Sequence, residues 1–238
     1  MSFCRVFCPK LAVGTAALSD DEAHHAATVR RLQVGDEVVL FDGAGREGLG
    51  RITAAGRRTV TVEVARIVER PFETRHRLTL AVAMPKAHRA GYLIEKCTEL
   101  GVAAFWPITS ERSVARAGAA AVAKWSRRAV EAAKQSGRAW IPNVEAPRTF
   151  AATCASAGTL DGAFLAELGA SLPSLSMRLA TLPAPSRVLV WIGPEGGWSP
   201  AERDLAISSG GVAVRLSPTV LRTETAAVAA CAAVAAAT

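Results

Sequence analysis

The stretch that most constrains the fold is residues 187–228, RVLVWIGPEGGWSPAERDLAISSGGVAVRLSPTVLRTETAAV. Arg187 to Ile192 is a short, nearly continuous apolar run, the pattern of a strand buried on both faces. Gly193-Pro194-Glu195-Gly196-Gly197 then interrupts regular structure, and such glycines let backbone come close to a bound molecule. Ser199-Pro200-Ala201-Glu202 combines a capping box with proline at the first helical position, so a helix begins there. Val212 to Leu216 reads as the next strand and Ser217 to Arg222 as a second loop. Thr223 or Thr225 opens a last helix that runs on to the end of the sequence. Two loops leaving the C-terminal ends of neighbouring buried strands mark the place where open α/β sheets bind ligands.

Composition sets outer bounds on function. Half of the 238 residues are hydrophobic, enough for a substantial core in one large domain or two smaller ones. The net charge of +7 is unevenly spread: residues 73–150 hold thirteen Lys/Arg against six Asp/Glu, whereas the segments on either side are nearly balanced. A basic segment beside a neutral ligand-binding segment points to a polyanionic partner, nucleic acid first. The cysteines at 4, 8, 97, 154 and 231 form no Cys-x-x-Cys pair, and the four histidines complete no zinc pattern, so no metal is expected. No apolar run has the length of a membrane span and the first residues carry no long apolar segment. The expectation is a cytoplasmic protein without membrane contact.

Taken in order, Ser19-Asp20-Asp21-Glu22 is a further capping box, predicting a helix through His25 to about Arg31. Glu37 to Phe41 reads as a strand, and Thr59 to Val64 alternates with period two. Short strands with glycine turns predict a small β-barrel over residues 1–72. Gly43-Ala44-Gly45-Arg46-Glu47-Gly48 fits the dinucleotide spacing G-x-G-x-x-G, but more strand rather than a helix follows, so it is read as a hairpin turn. Glu69-Arg70-Pro71-Phe72 reads as the junction. Beyond it, strands at Leu78–Met84, Ala103–Ile108 and Asp161–Glu167 alternate with helices at Ala90–Leu100, Ala119–Ser136 and Thr149–Ala157, predicting a mainly parallel α/β domain over 73–238.

The loops IGPEGGWSPAE and LSPTVLRTETA resemble the paired signature loops of the RsmE-type ribosomal RNA uridine-N3 methyltransferases, members of the SPOUT (trefoil-knot) class. Pro85-Lys86, Glu95 to Gly101, Glu111-Arg112-Ser113 and Gln135 to Arg138 with Pro142 extend the resemblance, as do Arg5, His25, Arg31 and Gly35-Asp36 in the small domain. The resemblance implies an N-terminal PUA-like barrel, a C-terminal knotted domain, a homodimer, and methyl transfer from S-adenosylmethionine to N3 of a 16S ribosomal RNA uridine, uracil 1498 in the family. It implies a cofactor pocket formed by Leu165, by Gly193, Pro194, Glu195, Gly196 and Gly197, and by Leu216, Ser217, Val220, Leu221, Arg222, Thr225 and Ala226. Arg222 and Glu224 are the implied catalytic residues; Arg5, His25, Arg31, Lys86, Arg112 and Arg138 are the implied RNA contacts. The sequence departs from the family at Ser217 and Thr219, usually glycine and arginine, and at His88, Glu95 and Lys134, usually aspartate, glutamine and glutamate.

Overall fold

The computed structural model describes residues 4–56, 59–113 and 118–237. The chain divides into two compact units, Met1–Phe72 with Ala133–Ile141, and Glu73–Ala132 with Pro142–Thr238.

The first unit contains strands β1 (Cys4–Phe7) and β2 (Gly14–Ala17), helix α1 (Asp20–His24), then β3 (Glu37–Phe41), β4 (Arg46–Ala55) and β5 (Val60–Glu69). They form one sheet in the order β1-β3-β4-β5-β2, with β1 parallel to β3 and the other pairs antiparallel. Period-two alternation does the work in β5: Val60, Val62 and Val64 are buried and Glu63 is exposed. These valines pack with Val6, Val38, Leu40 and Ile52. Register shifts at Leu49/Gly50 and Ile52/Ala54 bend β4. The G-x-G-x-x-G run is part of the β3–β4 hairpin. The single helix expected from Ser19 to Arg31 is not continuous. α1 ends at His24, His25–Val29 forms a π-helical turn closed by Arg30 N–H on the His25 carbonyl at 3.0 Å, and Arg31 turns back at φ 54°.

Residues 133–141 belong to this unit, which no periodicity in the sequence signals. Lys134 Nζ donates to both carboxylate oxygens of Glu22 at 2.9 and 3.1 Å. Trp140 Nε1 donates to the carbonyls of Arg70 and Pro71, and its ring lies where a Cβ on Gly45 would sit, 2.3 Å away. The lysine that departs from the family's usual glutamate thus has a local counter-charge in Glu22.

The second unit runs β6 (His76–Val82), α2 (Ala87–Glu99), β7 (Ala104–Thr109), α3 (Ala119–Ser136), β8 (Asn143–Val144), β9 (Arg148–Thr149), α4 (Phe150–Ala155), β10 (Gly162–Ala166), α5 (Leu175–Leu179), β11 (Ser186–Ile192), α6 (Pro200–Ser208), β12 (Val212–Val214) and α7 (Thr223–Ala235). The last residues of α3, from Ala133, are those counted with the first unit. The main sheet is parallel throughout, in the order β12-β10-β11-β6-β7-β8, with β9 beside β7. Flanked by β10 and β6, β11 is buried at every position except Arg187, as its apolar run requires. Two differences from the sequence reading stand out. Helix α2 starts at Ala87, three residues earlier than the apolar spacing from Ala90 indicates, with Lys86 as its N-cap. The segment before β11, read as loop, contains α5, capped by Ser174 accepting from Met177 N–H at 3.2 Å. Its five residues are too few for helical periodicity to register. No helix among the described residues is long and apolar enough to cross a membrane.

Candidate active site

Because β10, β11 and β12 are parallel neighbours, the chain leaves all three on the same edge of the sheet. A cavity of about 270 Å³ lies there. Ala166, Glu167 and Leu168 from the end of β10 form one wall. Ile192, Gly193, Pro194, Glu195, Gly197 and Trp198 from the β11 loop form a second. Leu216, Ser217, Thr219, Val220 and Leu221 from the β12 loop, with Thr223 and Ala226 of α7, close the third.

Each wall is fixed by identifiable contacts. The Gly197 N–H donates to the Pro194 carbonyl at 2.9 Å, closing a four-residue turn that holds Gly197 at φ +69°, a conformation glycine adopts without strain. A Cβ on Gly193 would meet the Trp198 indole at 3.0 Å, and that indole is pinned by Nε1 donating to the Ala166 carbonyl at 3.1 Å. Ser199 accepts from Glu202 N–H and the Glu202 carboxylate accepts from Ser199 N–H, so the predicted capping box is fully formed. The same carboxylate accepts from Glu111 N–H at 2.8 Å, and the adjacent Arg112 Nη1 donates to the Gly196 carbonyl at 2.8 Å. The turn after β7 is thereby fastened to the glycine loop at Gly196 and to the start of α6 at Glu202. Glu167 is held by Arg203 Nε at 3.1 Å. In the third wall, Ser217 Oγ accepts from Thr219 N–H at 3.2 Å and lies 3.1 Å from its hydroxyl, a side-chain turn that needs no glycine. Thr223 Oγ1 donates to the Gly193 carbonyl at 3.2 Å and so joins the two loops.

The fold therefore brings together Gly193, Pro194, Glu195, Gly197, Leu216, Ser217, Val220, Leu221 and Ala226. It leaves four of the residues named from sequence outside the lining. Leu165 is fully buried in the core with Ala163, Leu189 and Trp191, and its neighbours Ala166 to Leu168 line the cavity instead. The Gly196 carbonyl is turned toward Arg112. Thr225 is exposed, since residues three apart share a helix face and Thr223 and Ala226 occupy the one toward the cavity. Arg222 is the exposed N-cap of α7. Trp198 and Thr223 were missed; the helical spacing of Thr223 and Ala226 was the available signal.

Glu224 is only 8 % exposed, and among the described residues its Oε2 has no hydrogen-bond partner. Among the described residues it pairs with Arg89 on α2, whose Nε lies 3.8 Å from Oε1, and the same guanidinium lies 3.7 Å from Glu195 Oε1. Among the described residues Arg222 makes no ion pair. Residues i and i+2 at a helix start do not face each other, so Arg222 is poorly placed to hold Glu224.

The cations named as RNA contacts differ in availability. Arg31 and Lys86 are exposed and His25 is half-buried. Arg5 is largely buried, donating to Glu47 Oε1 at 2.6 Å and to the Arg138 carbonyl at 2.9 Å, and stacking over Phe41. Arg138 is 4 % exposed, with its guanidinium over the Phe72 ring. Both guanidiniums are thus engaged within the unit. Arg112 is exposed but committed to the glycine loop.

The architecture and paired loops are those of an RNA methyltransferase: the family described as RNA methyltransferase domain matches residues 72–235, and the RNA methyltransferase PUA domain matches residues 18–65. The chain is 34% identical to ribosomal RNA small subunit methyltransferase E of Synechocystis, covering 95% of this chain and 75% of that protein, and 39% identical to the Mycobacterium bovis protein of the same name, covering 89% and 82%. The crystal structure of a Neisseria gonorrhoeae ribosomal RNA small subunit methyltransferase E bound to S-adenosyl methionine superposes with a TM-score of 0.88 at 30% identity, over 98% of this chain and 96% of that one. The chain belongs to the RsmE family of ribosomal RNA methyltransferases, in the SPOUT class.

Proposed function

We propose that this protein methylates N3 of a uridine in 16S ribosomal RNA, uracil 1498 in the family, with S-adenosylmethionine as donor. The observation that carries the reading is the cavity at the ends of β10, β11 and β12, lined by both signature loops, in a chain whose relatives are ribosomal RNA methyltransferases. The cavity suits the donor: its size is near the lower edge of small-molecule sites, its lining is largely apolar, and backbone rather than side chain is presented at Gly193 and Gly197. Val220, 78 % exposed at the rim, offers apolar surface that a bound adenine would cover. The bound sulfonium supplies an electrophilic methyl group, so the protein's task is to place the acceptor in line and manage its proton.

Uracil N3 carries a proton and lies on the pairing edge, so the base must be unpaired or flipped out before it can react. Glu224, buried with one free carboxylate oxygen, accepts the N3 proton. Arg222, exposed at the rim of the second loop, stabilises the negative charge that spreads onto the uracil oxygens. Arg31, Lys86 and His25 are the RNA contacts this reading retains. It extends to a homodimer acting in the cytoplasm on the small subunit or its RNA. The test is nucleoside mass spectrometry of small-subunit RNA from a strain lacking the gene. Loss of 3-methyluridine at one position is expected, restored by the wild-type gene but not by Arg222→Ala; an unchanged profile would sink the assignment.

Arg112 separates loop-holding from phosphate contact. Arg112→Ala removes one charge-assisted hydrogen bond to an exposed carbonyl, worth about 1 kcal/mol, or roughly five-fold in cofactor affinity by calorimetry. The salt dependence of RNA binding should keep its slope. A shallower slope at unchanged cofactor affinity would make Arg112 a phosphate contact after all.

A further inference from the structure

We infer that Arg89 is a positioning residue for the transfer step, one whose charge orients the carboxylate of Glu224 from α2 and couples it to the glycine loop through Glu195. This rests on the proposed methyltransferase reading. Glu224 is buried, and a buried carboxylate needs compensation from hydrogen bonds or a counter-charge. Among the described residues its sole ion-pair partner is Arg89. Oε1 faces that guanidinium at 3.8 Å while Oε2 has no partner. The pairing thus makes the two oxygens unequal. One is held by charge, and the other is left for a donor that arrives with the substrate, such as the N3–H of uracil.

The second arm of the guanidinium lies 3.7 Å from Glu195, a residue of the cavity wall. Both separations exceed hydrogen-bond length, so the attraction is ionic and the guanidinium is not locked to either carboxylate. Its five N–H donors leave it free to tighten on Glu224 or on Glu195 as the glycine loop settles around its ligand. Arg89 stands early in α2, and α2 packs on α7, which carries Glu224, so both charged side chains project from packed helices. No local sequence pattern joins Arg89 to Glu224, which lies far along the chain.

The test is steady-state methylation of small-subunit RNA by Arg89→Met and Arg89→Lys, with Glu224→Gln and the Arg89→Met/Glu224→Gln double variant. Arg89→Met should lower kcat by about 30-fold, the scale of a small misplacement of a reacting group, with the cofactor Kd within about three-fold of wild type. Arg89→Lys should recover most of kcat, since it restores the charge. The double variant should be no slower than Glu224→Gln alone, because both changes break one unit. A purely structural Arg89 predicts otherwise: a lowered Tm, losses that multiply in the double variant, and no rescue by lysine. An active wild type whose kcat survives Arg89→Met, or losses that multiply, would overturn the inference alone. A wild type that binds cofactor yet methylates no small-subunit RNA would sink the functional reading, and this inference with it.

Discussion

Glu224→Gln is expected to slow methyl transfer by roughly 10²–10⁴-fold, the range that a positioned general base contributes. The substitution keeps the volume of a side chain that is only 8 % exposed, so packing around the start of α7 is preserved. It removes the one property the reaction needs, an oxygen able to take the N3 proton and hold it as a neutral acid. Glu224 is outside the cavity lining, so cofactor affinity measured by calorimetry should stay within about two-fold, and the defect should appear in kcat. Single-turnover assays on small-subunit RNA separate the two quantities. Full activity in the glutamine variant would reduce Glu224 to an acidic residue that favours a helix N-terminus, worth about 0.3–1 kcal/mol of stability. The arrangement argues for the larger effect, because a residue serving only the helix dipole has no need of burial and no reason to leave one oxygen without a partner.

The two signature loops were legible because each is encoded locally. Glycines at 193, 196 and 197, the capping box at Ser199 and the apolar run of β11 lie within sixteen residues, and one parallel sheet carries both loops to the same edge. The wall at the end of β10 was not legible. Ala166 to Leu168 join the cavity only because β10 inserts between β11 and β12, a register that the sequence near Leu165 does not encode. The small domain shows the same limit. β5 announces itself through Val60, Val62 and Val64, whereas β1 and β2 are four residues each and only partly buried, too short for alternation to register. Charges were the hardest to place. Arg5 and Arg138 look like phosphate contacts as long as their partners are unknown, and those partners lie 42 and 133 residues from Arg5. The same blindness hid Arg89, whose carboxylates lie on a loop and a helix far along the chain.

Glu47→Ala is expected to destabilise the N-terminal unit by about 3 kcal/mol, the low end of what breaking a buried ion pair costs. Glu47 is buried between two arginines, accepting from Arg5 Nη2 at 2.6 Å and from Arg70 Nε at 2.7 Å. Removing it leaves Arg5, largely buried and with its Nε lacking a partner among the described residues, as an uncompensated charge. Arg70 is half in solvent and recovers most of its hydration, which keeps the estimate at the low end. The pH dependence has a definite sign. Burial pushes the Glu47 carboxyl up, but the hydrogen bonds from Arg70 and Arg5 and their charges outweigh it, and its pKa falls below the ordinary 4.5. A carboxyl whose folded pKa is depressed stabilises the fold above its unfolded pKa and loses that contribution as pH drops through the folded value. The wild type should therefore lose stability on acidification below about pH 4.5, and the Glu47→Ala variant should show a shallower acid limb from a lower plateau. Urea denaturation at a series of pH values reads both. A variant as stable as wild type at neutral pH, with an unchanged acid limb, would mean that the two arginines are held by packing on Phe41 and neighbouring surfaces rather than by Glu47.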